Sequence, residues 1–441
     1  MKPLCIVSCP IDTFSGYGAR SRDFVKSLIE SKGEEWDIKI MPQRWGDTPW
    51  NALPQDDPLR QRFIGQLQQQ PDVWIQITVP NEFQKVGKFN IGVSAGIETT
   101  IYPGEFIEGN NRMNMNLVSS THSKNVVMSS QYDKVHDETN EPIGKIKNEK
   151  PLEVLFEGLD LDKYHKKPAS SKTNILKDVS EEFCFLYTGG WLPGNFGEDR
   201  KNVATLIRTF LQTFNTPSSK KPALILKTNQ VNYSLLDKTS VLKMINNIKN
   251  QVSGQLPNIY LLHGEMTDDE INKLNNDPKV KAFVSFTKGE GFGRPLLESA
   301  ITGKPTIVSN WSGHIDFMKP DYNILIGGEL KPVHESAANK FLLKESQWFN
   351  INTDIASRAM KDLFKNYKKY FKDSRKQTQY IKDNWSLDKM AEKLNNFLPK
   401  IEPPAQTVGL KLPKLKKIGE EQETPKFGSK LKLPTLKKIK A

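Results

Sequence analysis

Cysteine is scarce in this chain: Cys5, Cys9 and Cys184 are the only three in 441 residues. An odd count without metal-ligand spacing argues against a disulfide framework and against a zinc site. Cys5 and Cys9 fall in a short apolar run and its exit, where small core residues are expected. Long apolar runs are missing too. Nothing approaches the ~20 consecutive residues of a bilayer-crossing helix. The apolar part of the opening MKPLCIVSCPID is too short for a signal peptide. A cytoplasmic location is therefore the expectation.

Positive charge exceeds negative by +12, but the excess is uneven. Residues 401–441 hold ten lysines and four glutamates, half of the whole excess. The remaining body is only mildly basic, so its composition does not mark a polyanion binder. Within the tail LKLPKLKKI (Leu410–Ile418) returns as LKLPTLKKI (Leu431–Ile439), with a proline inside each copy that forbids a continuous helix. The tail is expected to be a flexible arm bearing one adhesive motif twice.

What is present is globular: 37% hydrophobic and 26% charged residues, at a length that predicts two or three domains. PLCIVSCPI reads as a strand, and DTFSGYGARSRDFVKSLIES as a glycine loop entering a helix with Phe24, Leu28 and Ile29 on one face. WDIKIMPQ, PDVWIQITVP and KFNIGVSAGIE follow as strands, and MNLVSSTHSKNVVMSS as a strand leading into a helix. His165–Glu182, rich in Pro, Ser and Lys, reads as an interdomain linker. The pattern then restarts. FCFLYTGG, PALILKTN, NIYLLHGE and VKAFVSF are strands, and KNVATLIRTFLQTF is a helix with Val203, Leu206, Ile207 and Phe210 on one face. TDDEINKLNND opens with Thr267 and Glu270 in capping-box register. KDLFKNYKKYFKDSRKQTQYIKDN and SLDKMAEKLNNFL are read as two late helices parted at Asn384–Ser386. Strands alternating with helices in two halves predict two doubly wound parallel sheets.

GEGFGRPLLESAITGKPTIVSN (Gly289–Asn310) joins the strand VKAFVSF to a helix begun at Pro295 and closed at Gly303. It sets Glu290 and Glu298 eight positions apart around Gly291, Phe292 and Gly293, at the carboxyl edge where open α/β sheets bind ligands. The loop amides suit an anion or a sugar oxygen, and glycines let a ligand approach the backbone. Helical side chains lean toward the N-terminus, so the Glu298 carboxylate is expected to share ligand space with Glu290. Two acceptor-only carboxylates suit a polyhydroxylated ligand. The same residues also fit a plain turn followed by a glutamate that the helix dipole favours by ~0.3–1 kcal/mol.

EGFGRPLLESAITGKPTIVSNWSGHIDF resembles the E-x7-E signature of retaining glycosyltransferases with the GT-B fold, the large glycosyltransferase family 4. YTGGWLPGNFGEDRKNVATLIRTF, NIYLLHGEMTDDEINKLNND and LFEGLDLDKYHK resemble further segments of that family, over most of residues 150–320. The resemblance implies two Rossmann-like domains facing a central cleft. They are an acceptor-side domain over residues 1–168 and a nucleotide-sugar domain over 169–380, followed by a helix over 381–400 packing back on the first domain and the tail over 401–441. Lys201, with Arg200, would neutralise the donor diphosphate. Glu298 would hold ribose hydroxyls, and Glu290 with the backbone of Gly291, Phe292 and Gly293 would hold the transferred sugar. His263 and Gly264 would border the base, while Gly16 and Gly18 in SGYGARSRDF would approach phosphates and acceptor.

The chain departs from the family at several points. Trp191 stands where an arginine is usual, and Arg294, at a position commonly aliphatic, would replace that charge or else form a surface salt bridge. In place of a first-domain histidine, SAGIETT offers Glu98 as an acceptor-side or catalytic residue. His122 and His314 are each isolated and are expected to be hydrogen-bonded structural residues. Trp45 and Trp50 are expected to pack in the core rather than line an acceptor cleft.

The implied reaction moves a sugar with retention from a nucleotide-diphosphate donor, a UDP- or GDP-sugar, to a saccharide or protein acceptor. Neither cofactor nor metal is called for, in keeping with the lack of an Asp-rich motif. Two other functions stay open at this point. One is a DNA-modifying transferase that grips nucleic acid with its lysine-rich tail. The other is a non-catalytic carbohydrate-binding or scaffold protein whose tail recruits a partner.

Overall fold

The computed structural model describes residues 2–135, 139, 141–168 and 174–401, which belong to one compact unit. The repeated tail motif lies outside the described residues. The first sheet contains β1 (Leu4–Cys9), β2 (Asp37–Pro42), β3 (Val73–Ile77), β4 (Phe89–Val93) and β5 (Met115–Val118). An exposed antiparallel hairpin, β6 (Gln131–Val135) and β7 (Pro142–Lys147), precedes its last strand, β8 (Leu152–Val154). The order is β2-β1-β3-β4-β5-β8, all parallel. Its strands are short Val/Ile/Leu runs because helices cover both faces. These helices are α1 (Gly16–Lys32), α2 (Gly104–Arg112) and α3 (Thr121–Ser129).

The second sheet repeats the plan with β9 (Cys184–Thr188), β10 (Ala223–Lys227), β11 (Ile259–Leu262), β12 (Val280–Ser285), β13 (Thr306–Ser309) and β14 (Ile324–Ile326). Its order is β11-β10-β9-β12-β13-β14, again parallel. The connections are α4 (Val203–Thr213), α5 (Leu235–Asn250), α6 (Asp268–Asn276) and α7 (Arg294–Ala300). Val203, Leu206, Ile207 and Phe210 of α4 are all fully buried, each worth roughly 1.5–3 kcal/mol of transfer energy. Thr267 and Glu270 form the expected capping box on α6. The hairpin β15 (Gly328–Pro332) and β16 (Gln347–Ile351) then leads into α8 (Thr353–Lys365), α9 (Tyr367–Asn384) and α10 (Leu387–Phe397).

In each sheet the strand order reverses beside the first strand, between β1 and β3 and between β9 and β12. Loops leaving the carboxyl ends there diverge and open a crevice. The two lobes meet at these ends. Thr121 N–H donates to Asp316, the Thr100 amide donates to the Gln347 carbonyl, and the Ser119 hydroxyl reaches the Gly291 carbonyl at 3.0 Å.

The chain returns to the first lobe at its end. Leu159, leaving that lobe, pairs with the segment re-entering it: its N–H donates to Trp385 O, and Leu387 N–H donates to Leu159 O. Met390 and Leu394 of α10 are then buried in the same core as Phe24 and Leu28 of α1.

Three sequence expectations need correction. The helix read from Lys361 to Asn384 is two helices: Asn366 leaves the helical basin (φ −114°, ψ 32°) while its side-chain amide donates to Asp362. Asparagine competes for local hydrogen bonds and so ends helices. The proposed linker is partly packed, since Leu176 and Val179 are buried and their carbonyls accept from Lys279; residues 169–173 lie outside the described part. Trp45 and Trp50 are half-buried rather than in the core. Trp45 stacks on Tyr17 at 4.1 Å, and Trp50 lies under Arg44.

Candidate functional site

The centre of the site is the turn between β12 and α7. Buried Val, Ala and Phe carry the chain to the sheet edge, and Gly289–Gly293 then folds over it. Gly293 adopts φ 98°, which only glycine takes without strain, and this sets the direction of α7. Gly291 has a different reason: a Cβ there would run into the Ala95 carbonyl of the first lobe. The Glu290 amide donates to Ser312 Oγ (2.9 Å), and Ser312 itself sits at φ 78°, an uncommon conformation for a non-glycine residue. By contrast, the buried N–H groups of Gly291, Phe292 and Gly293 have no acceptor among the described residues. Three successive buried donors without a partner are rare in proteins and mark a place for oxygen atoms.

Beside them stands the loop entering α4. Lys201 Nζ contacts both oxygens of Glu290 (2.6 and 2.9 Å). Arg200 donates to Gly289 O (2.8 Å) and reaches Glu290 at 3.3 Å and, across the cleft, Glu98 at 3.5 Å. Burial alone would raise the Glu290 pKa, yet Lys201 and Arg200 bring it down to about 2. Lys201 moves down from its usual value because burial opposes its charge and Arg200 lies alongside, outweighing the attraction of the shared Glu290. Burial also opposes the Arg200 charge, but Glu98 and Glu290 together keep it above normal. The first amide of α4 faces Asp199 (3.4 Å), so the helix end is already served by a protein carboxylate.

Glu298 is held elsewhere. Its Oε1 accepts from Arg294 Nε at 2.7 Å, and Arg294 also pairs with Asp23 on α1 of the opposite lobe. Burial raises the Glu298 pKa to about 7, with Asp268 and Asp23 adding to the rise and Arg294 opposing it. The arginine's help is limited because Asp23 shares it. Arg294 is thus a half-buried bridge between the lobes rather than a surface salt bridge. Trp191 is a core residue of the second lobe.

The other sequence candidates divide. Phe292 turns its ring into the core against Phe317 at 5.0 Å, leaving only its backbone to the site. His263 is tied to Asp237 (2.8 Å), and Gly264 O accepts from Lys227, both at the outer strand of the sheet and apart from Glu290. Gly18 is small because Thr13 O lies against it, whereas Gly16 is exposed in open space. His314 is buried beside Gly293. Its Nε2 faces the Ser309 carbonyl at 2.7 Å and so carries the proton, leaving Nδ1 without a partner among the described residues. His122 lies edge-on to Trp311, its pKa lowered to about 4 chiefly by burial.

Sequence reading passed over several residues of the site. Asp23 lay within a quoted motif, but nothing local reveals a partner 271 positions away. Ser312 and Ser119 act through backbone contacts, which carry no composition signal. Lys288, fully buried, contacts Glu198 (3.0 Å) and lies 4.8 Å from the Trp348 ring, and its amide donates to Arg200 O, joining the two loops that carry Glu290 and Lys201.

No family model and no curated protein matches this sequence. Solved structures do match its architecture. Sucrose-phosphate synthase from Thermosynechococcus elongatus aligns with a TM-score of 0.57 at 10% identity, over 90% of this chain and 98% of that one. Anabaena HepE in complex with UDP and glucose gives 0.55 at 10% identity, over 89% and 98%. A glycosyltransferase from Rickettsia africae gives 0.54 at 13% identity, over 90% and 97%. At such identities the likeness concerns the fold, and the chain has the two-lobed GT-B fold of these glycosyltransferases.

Proposed function

We propose that the protein is a retaining glycosyltransferase that moves a sugar from a nucleotide-diphosphate donor to a saccharide. One observation carries this reading: Arg200, Lys201 and three buried amides with no acceptor among the described residues converge around Glu290 at the switch point of the second sheet. Two cations beside amide donors suit a leaving diphosphate. Its charge grows as the glycosidic bond breaks, so they stabilise the transition state more than the ground state. In this reading the bond from the anomeric carbon to the diphosphate oxygen breaks, and the acceptor oxygen bonds to that carbon from the same side. The acceptor proton passes to the departing phosphate. Glu290 moves from the cations to hydroxyls of the transferred sugar, and Glu298 accepts from the ribose. The resemblance of the Glu290–Glu298 segment to family 4 supports retention, and UDP and glucose, bound by HepE, favour uridine donors for first trials.

The acceptor side falls to a cleft of about 230 Å³ at the carboxyl ends of β1, β2 and β3, lined by Gln43, Trp45, Gln76, Thr78 and Glu82 among others. An aromatic face surrounded by amides and a carboxylate suits a sugar ring. Thermal unfolding with UDP-, GDP-, ADP- and TDP-sugars tests the reading. A donor at roughly a hundredfold excess over Kd stabilises the chain by about 2.7 kcal/mol, and Lys201→Ala should abolish that shift. Failure of all four to raise the Tm would overturn the assignment.

A further inference from the structure

The two glutamates are wired alike. Glu290 is joined through Arg200 to Glu98, and Glu298 through Arg294 to Asp23. In both relays the arginine and its glutamate belong to the second lobe and the outer acid to the first. The Asp23 relay is the drier one, its three side chains being 7%, 16% and 9% exposed in the order Asp23, Arg294, Glu298. Arg294 presents Nε to Glu298 Oε1 and Nη1 to Asp23, so one guanidinium is divided between the lobes. Glu298 Oε2 has no partner among the described residues. Without Asp23 the same guanidinium is free to turn and take both oxygens of Glu298, the bidentate pairing that arginine favours.

We propose that Asp23 is a positioning residue: acting through Arg294, it keeps one oxygen of Glu298 available to a ribose hydroxyl, so that this grip is complete only when the first lobe is docked. The proposal rests on the donor assignment above. It makes ribose recognition a property of both lobes, although Asp23 has no contact with donor in this scheme. It also accounts for a half-buried arginine at a helix start whose two ion-pair partners are both acids.

The test is binding of UDP, GDP and ADP, their 2′,3′-dideoxy counterparts, and inorganic pyrophosphate to the full chain, measured by calorimetry. For whichever nucleotide binds the native protein, Asp23→Asn should weaken binding about tenfold. The dideoxy nucleotide and pyrophosphate should bind native and variant equally. Adding Arg294→Gln to Asp23→Asn removes the guanidinium that would take both oxygens and should restore most of the lost affinity; Asp23→Ala serves as the second variant if Asp23→Asn does not unfold cooperatively. Unchanged nucleotide affinity in the Asp23 variants, an equal loss for the dideoxy nucleotide, or no recovery in the double variant overturns the positioning role while leaving the donor assignment in place. If the native chain binds no nucleotide at all, the donor assignment fails and the positioning role with it.

Discussion

Glu290 and Glu298 are the same side chain under opposite fields. With its pKa held at about 2 against an ordinary 4.5, Glu290 favours the folded state at neutral pH. That contribution is present above pH 4.5, is lost as pH falls toward 2, and is on the order of 3 kcal/mol. Glu290→Gln should therefore lower stability markedly at pH 7 and hardly at all near pH 2, as followed by urea unfolding. Glu298 reverses the sign. Its pKa is raised from 4.5 to about 7, so its contribution is most favourable below 4.5 and is lost as pH climbs through 7. Glu298→Gln should raise the Tm at pH 8 and leave it nearly unchanged at pH 4, since keeping a buried acid for binding costs stability. Lys288 offers a third case. Its partner Glu198 is partly exposed and regains water easily, so Lys288→Met should change stability by less than ~1 kcal/mol. Trp348→Ala, emptying a fully buried site, should cost about 3–5 kcal/mol.

At the scale of elements, most strands of the two sheets were readable because they are compact runs rich in Val, Ile and Leu, whereas the short β14 and the β15–β16 hairpin were not. The turn after β12 was readable because its glycines have backbone reasons to be glycine. The hairpin β6–β7 was not, since its residues are mostly exposed and alternate weakly. Nor was the break at Asn366, where helix-forming lysines continue on both sides. The pairing of Glu290 with Lys201 rested on family resemblance, and Asp23 with Arg294 had no local signal of any kind. Pairings of this kind depend on which sheet edges face each other, and no periodicity records that. The glycines give a direct test. Gly291→Ala should destabilise the protein and push the lobes apart, because its Cβ meets Ala95 O; Gly16→Ala, facing open space, should be tolerated. Thermal unfolding and small-angle scattering of the two variants would show the contrast.

For the whole molecule, the final helix matters as much as either sheet. Met390 is fully buried, so Met390→Ala should cost about 2–5 kcal/mol. A chain ending at Asn384 should fail to accumulate as a folded protein, having stripped α1 of its cover. The passage between lobes is made by two pieces of one polypeptide, Leu159 on the way out and Trp385–Leu387 on the way back, paired in parallel and laced together by backbone hydrogen bonds. A single strand would act as a swivel, free to twist as well as bend. A laced pair is a door hinge: it admits swinging along one arc and resists rotation about its own length, and a protease that severs one of its leaves still finds the halves held by the other.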